Sequence, residues 1–148
     1  GAGSDGMNRR GLLVGALCCV AVPGHAGQEA ALDWVNRFRR RNGRRALRWS
    51  PVLAAVAQGH ADDMARAGFF SHSGSDGSDI GVRVKRAGYR WCAVAENIAR
   101  GHRSLDEVLE GWRASRGHRR NMLNRHVTEL GVARGPGDTW VMVLASGC

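Results

Sequence analysis

Helical periodicity runs through the chain as far as residue 123, and strand-like patterning is confined to the residues after it, so no strand–helix–strand alternation is available to build a doubly wound parallel sheet. From Gln28 to Asn42 the apolar residues Leu32, Val35 and Phe38 recur at helical spacing, with Gly43 where a C-cap glycine belongs. Ser50 followed by Pro51 reads as an N-cap with proline at the first helical position; Leu53, Val56, Ala57, His60, Ala61 and Met64 then share one face until Gly68. Residues 70–79 are a loop by composition, and a short helix from about Ile80 to Ala87 ends at Gly88. The stretch from Tyr89 to Arg100 is mixed in pattern and reads mostly as loop. Ser104-Leu105-Asp106-Glu107 is a capping box opening a helix with Leu105, Val108, Leu109 and Trp112 on its face and Gly117 as its stop; His118 to Leu123 offers one further turn. Val127 to Arg134 and Thr139 to Ala145 are β-like about a Pro136-Gly137-Asp138 turn. The expected class is α+β, with about four helices packed on a small antiparallel sheet.

At 148 residues, 43% hydrophobic and 24% charged, the chain has the make-up of one globular domain, which excludes disorder and fibrous architectures. A monomer is expected. Lys and Arg outnumber Asp and Glu by 22 to 13, a net charge of +9 that attracts anionic surfaces. Lys85 is the sole lysine, so much of this excess is an arginine skew of the kind a GC-rich genome produces. Basic residues are not interleaved with aromatics, and no zinc-finger or helix-turn-helix pattern is present, so a specific nucleic-acid module is not expected.

The N-terminus speaks to compartment. After Gly1 to Gly6, a tag remnant or extension, Met7-Asn8-Arg9-Arg10 forms a positive n-region. Gly11 to Val22 holds only apolar and small residues, and Pro23-Gly24-His25-Ala26 supplies small residues for a cut after Ala26. That is the three-part pattern of a secretory signal peptide, shorter than the roughly 20 apolar residues of a membrane span; the competing reading is a buried N-terminal helix. Residues 1–26 are therefore expected to be removed and residues 27–148 to form the domain, secreted or periplasmic. Cys18 and Cys19 lack the usual lipoprotein context. Removal leaves Cys92 and Cys148, which an oxidising compartment would join as one disulfide.

Several motifs recur in a recognisable order: Asn36 to Arg39, Leu47-Arg48-Trp49, Ala57 to Met64, Phe70-Ser71-His72-Ser73-Gly74, Gly88-Tyr89, Ala95-Glu96-Asn97-Ile98-Ala99, Trp112 with Ser115, and Gly117 to Leu123. Together they resemble the bacterial, SCP-like branch of the CAP superfamily, which also holds cysteine-rich secretory proteins, venom antigens and plant pathogenesis-related proteins. The resemblance spans about Ala30 to Ala145. It implies an α-β-α sandwich with a surface cleft lined by two histidines and two acids, and it places the histidines at His72 and His118 and the first acid at Glu96. The second acid of the animal and plant branches falls on Ser115.

Two imidazoles and a carboxylate are ligand types that suit zinc or a similar divalent ion and leave a coordination position open, so His72, Glu96 and His118 are the candidate metal ligands. Their wide spacing is no compact metal motif, so only folding can bring them together. His60, on the apolar face of its helix, is either a packed core histidine or an auxiliary group orienting His72 or Glu96; Ser115 and Asn97 are further cleft candidates. His25, His102 and His126 have no neighbouring pattern. Hydrolysis is the competing class: Ser71, His72, Ser115 and Glu96 offer a hydroxyl, a base and an acid, but adjacent side chains seldom face each other and no Gly-x-Ser-x-Gly elbow exists. A metal-assisted route asks Glu96 to be both ligand and base. The expectation is a binding module for a small ligand, a lipid or a partner protein.

Overall fold

A computed structural model describes residues 23–148. Most of the expected leader, Gly11 to Val22 with Cys18 and Cys19, lies outside the described residues. The elements in chain order are α1 (Pro23–Arg41), β1 (Arg48–Trp49), α2 (Pro51–Ala67), α3 (Ile80–Arg86), β2 (Trp91–Arg100), α4 (Leu105–Ala114), α5 (Arg116–Met122), β3 (Glu129–Gly135) and β4 (Thr139–Gly147). Among the described residues no helix is long and apolar enough to cross a membrane.

The sheet is built around β4, in the order β1-β3-β4-β2. Every residue of β4 from Thr139 to Ala145 is buried, because alternate side chains feed cores on opposite faces. Trp140, Met142 and Leu144 pack with Val35 and Phe38 of α1 and Val108, Leu109 and Trp112 of α4. Val141, Val143 and Ala145 pack with Leu53, Val56, Ala57, Ala61 and Met64 of α2 and Val84 of α3. Helices on both faces of one sheet make the three-layer α-β-α sandwich, each large apolar side chain contributing about 1.5–3 kcal/mol of transfer free energy. Gly131 of β3 lets α2 seat closely: a Cβ there would lie 2.2 Å from the Ala54 nitrogen.

Local signals set several boundaries. Ser50 Oγ accepts the Leu53 N–H at 3.2 Å to start α2, and Gly68 ends it in the left-handed conformation at φ 70°. Ser104 Oγ accepts the Glu107 N–H at 3.2 Å to start α4, while the Glu107 carboxylate reaches the Arg103 N–H at 2.9 Å, one residue ahead of the cap.

Four expectations are corrected. The sheet is mixed, since β1 runs parallel to β3, whereas β3–β4 and β4–β2 are antiparallel. Tyr89 to Arg100 is not mostly loop: it contains β2, paired along its length with β4. Gly117 is not a helix stop, because extended Ser115 (φ −97°, ψ 124°) separates α4 from a fifth helix that contains Gly117. α1 also starts earlier than Gln28, at Pro23.

Two buried polar side chains tie the layers together. Asn36 exchanges two hydrogen bonds with the Leu47 backbone, at 3.0 and 2.7 Å. Arg39 donates to the carbonyls of Arg45, Met122 and Asn124 at 2.8–3.0 Å, fastening α1 to the end of α5. Cys92 and Cys148 are disulfide-bonded, with Cα atoms 5.0 Å apart, joining the start of β2 to the end of the chain.

Candidate functional site

Glu96 and Asn97 are consecutive on β2 and therefore project to opposite faces of the sheet, opposite Val143 and Met142. Glu96 enters the α2–α3 side with its side chain only 2% exposed, where a bare carboxylate is costly. Both oxygens are partnered. His72 Nδ1 lies 2.7 Å from Oε1, and Arg83 Nη2 donates to Oε2 at 2.9 Å. The same guanidinium donates to the carbonyl of His72 at 3.0 Å and of Ser78 at 2.6 Å, so Arg83 clamps the 70–79 loop at both ends. A carboxylate accepts only, so His72 donates from Nδ1 and keeps Nε2 free of this pair, on a side chain that is 59% exposed.

His60 lies beneath this pair, wholly buried. Its Nε2 donates to the Ser71 carbonyl at 2.8 Å and lies 3.9 Å from Glu96 Oε1. It is thus both a packed face residue of α2 and a support for the loop that carries His72. Ser71 turns its hydroxyl to the Ser73 N–H at 3.1 Å, away from any base.

On the other face, Asn97 donates to the His118 carbonyl at 3.1 Å, and Asn121 donates to Asn97 Oδ1 at 2.9 Å and to the Glu96 carbonyl at 3.2 Å. This amide pair docks α5, the helix that carries His118, on β2 beside Glu96. His118 Nδ1 shares a 2.9 Å hydrogen bond with Ser115 Oγ, leaving Nε2 as its outward edge. Two site residues, Arg83 and Asn121, are missing from the expectation drawn from sequence. Arg83 has no local signal, while Asn121 stands inside the Gly117 to Leu123 motif.

The donor set does not fit the expected three-ligand metal centre. Glu96 is engaged on both oxygens, one of them by a cation, and among the described residues no group of three or more His, Cys, Asp or Glu is arranged to hold a metal ion. Glu96 is corrected from metal ligand to the group that orients His72; the imidazoles of His72 and His118 remain as outward-facing nitrogen donors.

Burial, above all, holds His60 below its ordinary pKa, reinforced by Arg83 and opposed by Glu96; burial and then His72 do the same for His118. Both imidazoles are neutral in the fold and gain protons on unfolding, so stability is complete above the ordinary histidine value of about 6.5 and falls as pH drops below it. Hydrogen bonds from Ser75 and Ser78 respectively hold Asp63 and Asp76 low, so their contribution is lost only at still lower pH. Thermal melts from about pH 7.5 to 5, a range that brackets the ordinary histidine value, should show a falling Tm, flattened in His60→Gln/His118→Asn. A Tm that holds or rises in wild type on acidification contradicts this.

Comparison with known proteins sets this geometry among relatives. The Cysteine-rich secretory protein family (CAP) pattern matches residues 32–145. The chain is 33% identical over 105 residues to the Uncharacterized membrane protein YlbC of Bacillus subtilis, covering 71% of this chain and 30% of that one. It is 32% identical over 108 residues to the Uncharacterized protein YkwD of the same organism, covering 72% and 42%. The chain thus spans less than half the length of either relative. The crystal structure of an extracellular protein containing a SCP domain from Bacillus anthracis superposes with a TM-score of 0.77 at 32% identity, over 81% of this chain and 40% of that one.

Proposed function

This chain belongs to the cysteine-rich secretory protein (CAP) family, and from that premise we propose that it is an exported binding module that takes up a small ligand, a lipid or a partner protein at the cleft between His72 and His118. The observation that carries the reading is the engagement of Glu96. Its carboxylate is consumed by His72 Nδ1 and Arg83, so its role is to fix the tautomer and orientation of His72 as a hydrogen-bond acceptor. A general acid or base needs to exchange protons with a substrate, and a buried carboxylate neutralised by a guanidinium is poorly suited to it. Export is supported by the signal-peptide pattern and by the disulfide, a bond of oxidising compartments.

A hydrolase is the second reading, favoured by the Ser115–His118 hydrogen bond at 2.9 Å. It pairs a hydroxyl with an imidazole, but through Nδ1, between residues three apart, and among the described residues no carboxylate holds the other ring nitrogen. Turnover of ester and peptide probes separates the readings. The binding module is expected to show no turnover above buffer in wild type, and a panel of lipids and small polar compounds should contain one that raises Tm in wild type but not in His72→Ala/His118→Ala. Turnover that disappears in Ser115→Ala and His118→Ala would establish the hydrolase instead.

A further inference from the structure

Two arginine-rich segments far apart in sequence, residues 39–45 and 116–125, meet on the face away from Glu96. Buried Arg39 brings them together through the Met122 and Asn124 carbonyls, and Arg44 Nε adds a 2.8 Å bond to the Leu123 carbonyl. Between them lies a cavity of about 630 Å³ lined by Arg44, Arg116, Arg119, Arg120, Arg125 and His126 with asparagines and Leu123, and by no acidic residue. Among the described residues none of these five arginines forms an ion pair with a carboxylate.

We infer that this basin is a binding site for a multiply charged oxyanion, a compound bearing several phosphate or sulfate groups. Five guanidiniums around one concavity repel one another, and a polyvalent anion relieves that repulsion. Arg44 and Arg119 are already positioned: Arg44 by the Leu123 and Asn42 carbonyls, and Arg119 by the Asn42 side-chain oxygen and by stacking 5.0 Å over the Phe38 ring. Pre-positioned forks lose less entropy on binding and match tetrahedral oxyanions bidentately. Arg116, Arg120 and Arg125 are exposed and, among the described residues, make no hydrogen bond through their side chains, so they are available to close over the anion. Arg119 also lines an adjoining cavity, but that one holds Glu110, paired with Arg113, so the acid-free concavity ends at the basin.

The shape selects among anionic partners. A bilayer needs a protruding surface with apolar groups to insert, yet the exposed large apolar residues Val52, Phe70, Val82 and Trp91 all lie outside the basin. Single-stranded nucleic acid needs aromatic platforms for its bases, and no Phe, Tyr or Trp lines the basin. The basin adjoins the His72–His118 cleft through α5 and Asn121, but its arginines are distinct from the two imidazoles.

Calorimetry with tripolyphosphate, and separately with a sulfated trisaccharide, tests it on the whole domain. Wild type should bind at least one of the two saturably, and the tighter one identifies the oxyanion. Arg120→Gln/Arg125→Gln should weaken that binding roughly tenfold or more and flatten its salt dependence, whereas Lys85→Gln/Arg103→Gln, which removes the same charge elsewhere, should change it less than about twofold. Equal weakening in both double variants would reduce the effect to net charge and overturn the site. Absence of saturable binding to either probe would overturn it too, as would binding to phosphatidylglycerol vesicles that neither probe displaces.

Discussion

Replacing Arg83 by alanine is expected to destabilise the domain by about 3 kcal/mol or more, among the largest effects of any single side chain here, because it leaves the Glu96 carboxylate buried without its cation. Arg83 is 12% exposed and Glu96 2%, so water can do little to replace the lost partner. The same substitution removes the bonds to the His72 and Ser78 carbonyls and so releases the 70–79 loop. Arg83→Lys retains the charge but cannot reproduce the forked geometry, and should fall between. In urea denaturation the Arg83→Ala/Glu96→Gln pair should be clearly less destabilised than the sum of its two single changes, since the second change removes the charge the first one strands. Additive losses would show that the two side chains do not depend on each other.

Loss of the disulfide has an effect of similar size by a different route. The bridge spans 56 residues of sequence, and on the chain-entropy model that constraint on the unfolded chain contributes about 4 kcal/mol. Domains of this kind have total stabilities of about 5–15 kcal/mol, so Cys92→Ala/Cys148→Ala should bring the protein close to its unfolding threshold. Locally, Trp91 and Gly147 are opposite one another beside the bridge, so amide exchange should accelerate first in the last residues of β4. Denaturation midpoints with and without reductant, compared with the double variant, measure this; a reduced protein as stable as the oxidised one would contradict it.

How much of this is legible in the sequence depends on whether the determinant is local. The ends of α2 follow from Ser50, Pro51 and Gly68, and the start of α4 from Ser104 and Glu107, because a cap is made by residues within one turn of it. The β3–β4 turn follows from Gly137 and Asp138, both with positive φ (68° and 53°). β2 is hidden because its second half, Glu96 to Ala99, is buried on both faces, which removes the two-residue alternation there, and because Glu96 and Asn97 interrupt its apolar run. The two residues that bring the candidate site onto the strand are the ones that disguise it. The family resemblance places His72 and Glu96 in one cleft, and in the fold the two side chains share a hydrogen bond. The part played by Arg83 is not legible, since the need of a buried carboxylate for a cation says nothing about which of many arginines supplies it. The assignment of Glu96 to a metal fails for that reason.

The His72–His118 cleft is expected to retain its ligand on the isolated domain. Native mass spectrometry of the folded domain, after exposure to a lipid and metabolite extract and removal of unbound material, compares wild type with His72→Ala/His118→Ala at equal folded concentration. Wild type should carry a stoichiometric, non-covalent mass that the double variant lacks, while the Arg120→Gln/Arg125→Gln domain still carries it. The same adduct on wild type and on the histidine variant, or none on either, would contradict a binding site made by these two imidazoles.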